Sequence, residues 1–203
     1  MNLKALKYVT REIDSMKEIA KYLFEAGMLK RVKRSGWWAE KINNPESVAD
    51  HALRTAMIAF ILAKMEGMNN GDADRLCTAA IFHDMHETRL LDHNKITARY
   101  ISITKELELK VERDQVGKLP KEIKQSLLRR FELTEEEQII LKDADYLECA
   151  FQAKEYLDVG YKGAASWIKS IKTRLTTKSA KKLLEQVEKM NSNEWWKGLK
   201  KIE

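Results

Sequence analysis

Apolar residues along this chain recur at the three- and four-residue intervals of a helix face, and no alternation of strand and helix patterns appears. One stripe runs Val48, Ala52, Thr55, Ala56, Ala59, Phe60, Ala63, and a second runs Ala73, Leu76, Cys77, Ala80, Ile81. Only two prolines and eight glycines interrupt the pattern. Helices are predicted over about 10–27, 47–67, 72–87, 95–116, 120–131 and 134–159, with two or three more in the tail. Ser47 with Asp50 and Thr134 with Glu137 have the spacing of capping boxes, in which each side chain serves the other's backbone N–H, and Pro120 suits a first helical turn. The fold expected is all-α, one domain, with a core over about 17–161 and a C-terminal helical extension over 162–203.

Metal-competent side chains interrupt these apolar faces. His51 follows Val48 by three and therefore faces inward, His83 and Asp84 continue the second stripe, and Asp145 shares a face with Leu141, Glu148, Cys149 and Gln152. By itself a histidine near a helix start is more commonly a hydrogen-bonded core residue, and a His-Asp dipeptide signals little. Together, in a chain with four histidines, the inward groups read as one metal site. A buried carboxylate is costly unless it is paired or bound to a cation. Two imidazoles and two carboxylates suit a catalytic divalent cation with coordination positions left for water and substrate, which points to hydrolysis. The ion is expected to be Mn²⁺, Co²⁺ or Mg²⁺, with Ni²⁺, Fe²⁺ and Zn²⁺ also compatible. His86 and His93 read as neighbours of this site.

The order His, then His-Asp, then a distant Asp resembles the signature of the HD-domain metal-dependent phosphohydrolases. The strings Leu29-Lys30-Arg31-Val32, Arg34-Ser35-Gly36-Trp37, Pro45-Glu46-Ser47-Val48-Ala49-Asp50-His51 and His83-Asp84-Met85-His86-Glu87 closely resemble the HD domain-containing protein 2 group, which is similar to bacterial 5'-deoxynucleotidases. The likeness runs from about Lys17 to Tyr161. It implies an HD-domain helical bundle, a homodimer, and metal ligation by His51, His83, Asp84 and Asp145. It also implies catalytic acidic roles for Glu87 and Asp92. Glu87 lies one helical turn past His83, within reach of a metal-bound phosphate, where a carboxyl group can orient the nucleophile or protonate a leaving alkoxide.

The segment 31–38 is the candidate substrate contact. An arginine fork suits phosphate, so Arg34 is assigned to it, and Trp37 is assigned to the sugar; the alternative is that the tryptophans and the basic cluster merely pack and solvate a loop. The bacterial enzymes place an arginine directly before the matching tryptophan, where this chain has Gly36. The family usually places a glycine before the second acidic residue, where this chain has Leu91. The expected reaction is hydrolysis of deoxyribonucleoside 5'-monophosphates. Other HD-type phosphohydrolase activities, triphosphohydrolase or phosphodiesterase, and a metal-containing nucleotide-binding regulator are the competing readings.

Composition narrows the setting. With 203 residues and 44% hydrophobic content the chain can bury one substantial core, and no stretch has the length of a membrane span or the form of a secretory signal, so a cytoplasmic enzyme is expected. Cys77 and Cys149 lie on apolar faces and read as small core residues. The net charge of +6 is concentrated in the tail, which lacks a nucleic-acid-binding motif, so a nucleic-acid partner is not expected. Trp167, Ile168, Ile171, Trp195 and Trp196 either cover the core or serve an interface.

Overall fold

Side-chain caps set the starts of the two helices on which the rest is built. The computed structural model describes residues 3–130 and 132–199 of the chain; Phe131, the expected end of one helix, and the tail beyond 199 lie outside them. Helix α1 spans Leu3–Ala26, α2 Val48–Met65, α3 Asn70–Phe82, α4 Glu87–Leu90, α5 Lys105–Val116, α6 Lys121–Arg129, α7 Glu135–Asp158, α8 Ala165–Lys172 and α9 Lys178–Lys189. No strand occurs among the described residues, only an isolated antiparallel bridge between Lys33 and Ser47. At the head of α2 the Asp50 N–H donates to Ser47 Oγ at 3.2 Å and the Ser47 N–H donates to Asp50 Oδ2 at 2.8 Å. Thr134 and Glu137 repeat the arrangement at the head of α7.

Alanine dominates where α2 and α7 meet: Ala56, Ala59 and Ala63 from one, Ala144, Ala150 and Ala153 from the other, all buried in one core with Leu62, Leu76, Ile140 and Leu147. Small side chains let helix axes approach closely, which is what brings polar groups on these two helices within reach of one another. The C-terminal helices share this core through Ile168, Ile171, Leu175, Leu184 and Val187. Of the tail's apolar residues, Ile168 and Ile171 are thus core, Trp167 is half-buried, and Trp195 and Trp196 are exposed. A buried carboxylate on α7 anchors the extension, because Asp143 accepts from the Thr176 N–H at 3.0 Å, the Thr177 N–H at 2.7 Å and the Thr177 hydroxyl at 2.8 Å. A second, smaller core joins Tyr22, Leu29, Val32, Val48, Met85, Val116 and Leu119 under α5.

Two predicted helices are shorter than the periodicity suggests. The helix expected over 72–87 starts earlier, where Asn69 accepts from the Asp72 N–H, and stops at Phe82. His83 Nδ1 lies 2.6 Å from the Ala80 carbonyl oxygen, so the imidazole takes up a carbonyl at the helix end and the chain turns through 83–86 before α4. His83 and Asp84 therefore sit in a turn and not on a continued stripe. The helix expected over 95–116 begins only at Lys105, where Thr104 caps it, and 95–104 is mostly irregular.

The chain leaves α4 through Leu91 at φ 66°, ψ 168°. That region is almost exclusive to glycine, and a side chain there costs on the order of 1–3 kcal/mol. Leu91 is also largely exposed, so its side chain contributes little burial in return. Leu91→Gly is expected to stabilise the protein, with a net gain of about 1 kcal/mol after the greater freedom of glycine in the unfolded chain is counted. Urea denaturation of the two proteins checks this; equal or lower stability in the variant would mean that the turn is unstrained.

Candidate metal centre and active site

Three elements converge on one point. His51 comes from the second turn of α2, His83 and Asp84 from the turn after α3, and Asp145 from the middle of α7. His51 Nε2 lies 3.3 Å from Asp145 Oδ1 and 3.7 Å from Asp84 Oδ2, and His83 Nε2 lies 3.1 Å from the same Asp84 oxygen. Ligand atoms of His51, His83 and Asp84 all fall within 4.8 Å of one another.

The far side of each ring is tied down. His51 Nδ1 is 2.5 Å from Glu148 Oε2, and His83 Nδ1 faces the Ala80 carbonyl. Partners that only accept fix the proton on Nδ1 in both rings, which turns both Nε2 atoms toward the common point. A carboxylate or carbonyl behind an imidazole is the usual support for a metal-binding histidine. Glu148 is itself fully buried and accepts from Arg54 Nε at 3.0 Å, while Arg54 also reaches Glu155 and Gln152.

The residues fit a divalent cation. His83 Nε2 is buried with no hydrogen-bond partner, an uncompensated lone pair aimed at the carboxylates. Burial and the Arg34 charge oppose protonation of His51, yet Asp145 and Glu148 overcome them and raise its pKa to about 10. The cluster thus attracts positive charge to the position between its carboxylates. Burial would likewise raise Asp84 and Asp145, but His83 beside the first, and His51 and Lys142 beside the second, hold both below the usual carboxylate range. Cys149 also borders this point. Burial pushes its thiol up, so it is a neutral group accepting from Arg34 Nη2 at 3.4 Å and is a poor ligand.

The centre opens into a cavity of about 690 Å³ whose wall includes Arg34, Trp37, Asp84, Glu87, Asp92, Asp145 and Trp167. Glu87 is buried with Oε2 lacking a hydrogen-bond partner. Desolvation, with repulsion from Asp84 and Asp92, raises its pKa to about 9. At neutral pH it is a carboxylic acid with a proton to give.

Arg34 and Asp92 meet. Asp92 Oδ1 accepts from Arg34 Nη1 at 3.1 Å, and Oδ2 accepts from the Ser35 N–H at 2.6 Å and the Ser35 hydroxyl at 2.7 Å. Both carboxylate oxygens are therefore engaged in holding the 34–35 segment over the cavity. Arg34 Nη1 stands 3.8 Å from Asp84 Oδ2, close enough for a phosphate at the centre to reach it. Trp37 is 1% exposed: its ring packs edge-on against Tyr156 at 5.1 Å and obliquely against Trp167 at 4.4 Å, and its N–H donates to Glu46 Oε1 at 2.9 Å. It touches the cavity as part of the wall, with Trp167 beside it.

Glu148, Arg54 and Trp167 were not singled out as site residues by sequence reasoning. The first two carried a signal, since Arg54 is three residues past His51 and Glu148 three past Asp145, each one helical turn from a ligand on the same face.

Residues 26–188 match the HD domain family. The human 5'-deoxynucleotidase HDDC2 is 32% identical over 157 residues, which covers 72% of each chain. A 5'-deoxynucleotidase of Enterobacter sp. (strain 638) is 28% identical over 144 residues, 65% of this chain and 72% of that one. Among solved structures, a conserved hypothetical protein from Pyrococcus furiosus superposes with a TM-score of 0.68 at 29% identity, over 84% of this chain and 99% of that one. The cyanophage S-2L HD phosphohydrolase DatZ, described as bound to dA and one catalytic Zn²⁺ ion, shares the fold at a TM-score of 0.53 and 18% identity, over 82% of this chain and 94% of its own. The match over most of the chain makes this protein a member of the HD domain family.

Proposed function

We propose that this protein is a metal-dependent 5'-deoxynucleotidase that hydrolyses deoxyribonucleoside 5'-monophosphates to deoxyribonucleoside and phosphate. The observation that carries the reading is the convergence of His51, His83, Asp84 and Asp145, both imidazoles oriented from behind, at a cavity whose wall also holds Arg34 and Glu87. The curated relatives named 5'-deoxynucleotidases support it.

His51, His83, Asp84 and Asp145 would hold the cation, which we assign to Mn²⁺, Co²⁺ or Mg²⁺. When bound it polarises the phosphoryl group and lowers the pKa of water. Arg34 binds the phosphate oxygens with its guanidinium and neutralises their charge. Asp92 keeps Arg34 in place, and its catalytic contribution runs through that arginine. Glu87 gives its proton to the 5' oxygen as the P–O bond breaks, so that the product leaves as an alcohol and not an alkoxide. Trp37 shapes the pocket beside Arg34, and a pocket closed on the sugar disfavours an added 2'-hydroxyl that would stay unpaired.

We also infer that the protein is a cytoplasmic homodimer. No helix of the described residues is long and apolar enough to cross a membrane. Leu53, Met57, Ile61 and Met65 follow one another at helical spacing along the outer face of α2 and are each at least 50% exposed, an apolar stripe that a second copy would cover.

Replacing His51, His83, Asp84 or Asp145 by alanine is expected to abolish bound metal and turnover together. Glu148→Gln should weaken metal affinity by about 10–100-fold through loss of the charge behind His51. Elemental analysis after dialysis against graded chelator tests both, and wild-type metal retention in any alanine variant removes that residue from the ligand set.

Glu87→Gln is expected to keep the metal and lose about two to four orders of magnitude in turnover. A loss of only a few-fold would exclude Glu87 as the acid. The same variant has a second signature without metal. From about 4.5 to about 9 the folded protein keeps the Glu87 proton that the unfolded chain releases, so this carboxyl costs more stability as pH rises. The chelated Glu87→Gln protein should therefore gain more in Tm over wild type at pH 8 than at pH 5, and an equal gain at both would contradict the buried acid.

A further inference from the structure

The outer half of the cavity has its own chemistry, distinct from the carboxylates and imidazoles of the floor. Its wall is built by the C-terminal extension and the loop after α4: Trp167 from the first turn of α8, Arg174 two residues past its end, Lys95 from the loop, and Tyr146 from α7. Trp167 is fixed in its pose. Its N–H donates to Glu40 Oε1 at 3.2 Å and one side of the indole rests on Trp37. Its approach requires Gly36, where a Cβ would stand 2.6 Å from the indole rim. Lys95 Nζ lies over the ring, 5.9 Å from its centre. Arg174 lies over Tyr146 at 5.7 Å.

Neither Lys95 nor Arg174 has an acidic partner among the described residues, in contrast to Lys142, which pairs with Asp145 at 2.7 Å. The two cations are also close enough that Arg174, after desolvation, helps lower the Lys95 pKa. Two cations without acidic partners, each over an aromatic ring of the same cavity wall, suit a ligand that offers acceptors and a flat face. Resting on the reading of a nucleotide substrate, we propose that Trp167 is the stacking platform for the nucleobase and that Lys95 and Arg174 donate to acceptor atoms on its edge. The reactive phosphate lies at Arg34 and the metal ligands, and the base extends toward α8.

Lysine and arginine have only donors, so the base edge facing them must accept. Guanine presents O6 and N7 together, and thymine presents its carbonyl oxygens, whereas the adenine amino group is itself a donor. The site should favour guanine and thymine over adenine. Stacking on an aromatic ring contributes about 1–3 kcal/mol per base, which corresponds to about 5–150-fold in affinity.

The test compares dGMP, dTMP, dAMP and 2-deoxyribose 5-phosphate, which has no base, by calorimetric binding to metal-free protein and by kcat/KM with Mn²⁺. Trp167→Leu should weaken the three nucleotides by about tenfold or more while leaving 2-deoxyribose 5-phosphate unchanged; Trp167→Phe should restore most of the loss. Lys95→Ala with Arg174→Ala should bring dGMP and dTMP down to the level of dAMP. An equal loss on the sugar phosphate, or base discrimination intact in the double variant, overturns the inference. The two readings fail separately: nucleotides that bind with this base dependence but are not hydrolysed overturn the proposed activity and leave the base platform standing, while hydrolysis that is indifferent to Trp167 does the reverse.

Discussion

Everything at the centre depends on one buried carboxylate. Glu148 lies without solvent between α7 and α2, accepting from His51 on one oxygen and from Arg54 on the other. A carboxylate so placed is expensive unless both oxygens are paired, and the pairing demands that the two helices hold a fixed register. The alanine-rich seam between them makes that approach sterically open. His51 is thereby oriented before any ligand arrives. Asp145, one turn back on α7, is set opposite the free nitrogen of the same ring.

A second constraint joins parts far apart in sequence. The Arg34-Ser35 segment is hydrogen-bonded through both its backbone and its side chains to Asp92, and the backbone around it is fastened to the head of α2, with the Arg34 N–H donating to the Glu46 carbonyl at 3.0 Å and the Val48 N–H to the Val32 carbonyl at 2.9 Å. Asp92 reaches this segment because the preceding residue adopts a backbone conformation foreign to leucine. The strain at Leu91 and the placement of Arg34 are thus two ends of one arrangement, with local cost offset by a charge-assisted network.

How much of this was legible in the sequence depends on the range of the interaction. Capping boxes at Ser47 and Thr134 act over three residues, and both occur as read. The inward faces of His51 and Asp145 follow from periodicity alone. What periodicity could not reveal is where a side chain outcompetes the helix. His83 takes the Ala80 carbonyl, and the helix ends at Phe82 although the apolar stripe continues. Nor does spacing distinguish a tryptophan that covers a ligand from one that supports another tryptophan. Trp37 does the second in the geometry of its ring, and only the fold brings Trp167, 130 positions away, against it. The likeness to the HD family could assign positions, but a glycine position of the family and an arginine position of its bacterial enzymes are changed here, and those are where long-range packing had to be seen.

Gly36 carries a consequence for how such a site can change. The bacterial enzymes of the resemblance pair an arginine at this position with the following tryptophan, whereas here the indole of Trp167 stands where a side chain at 36 would begin. The two positions are mutually dependent: an arginine at 36 is excluded while Trp167 is in place, and loss of Trp167 leaves a vacancy that glycine cannot fill. In passage between the two designs, the change at 167 must precede or accompany the change at 36. The C-terminal extension thereby limits what the 34–36 segment can carry.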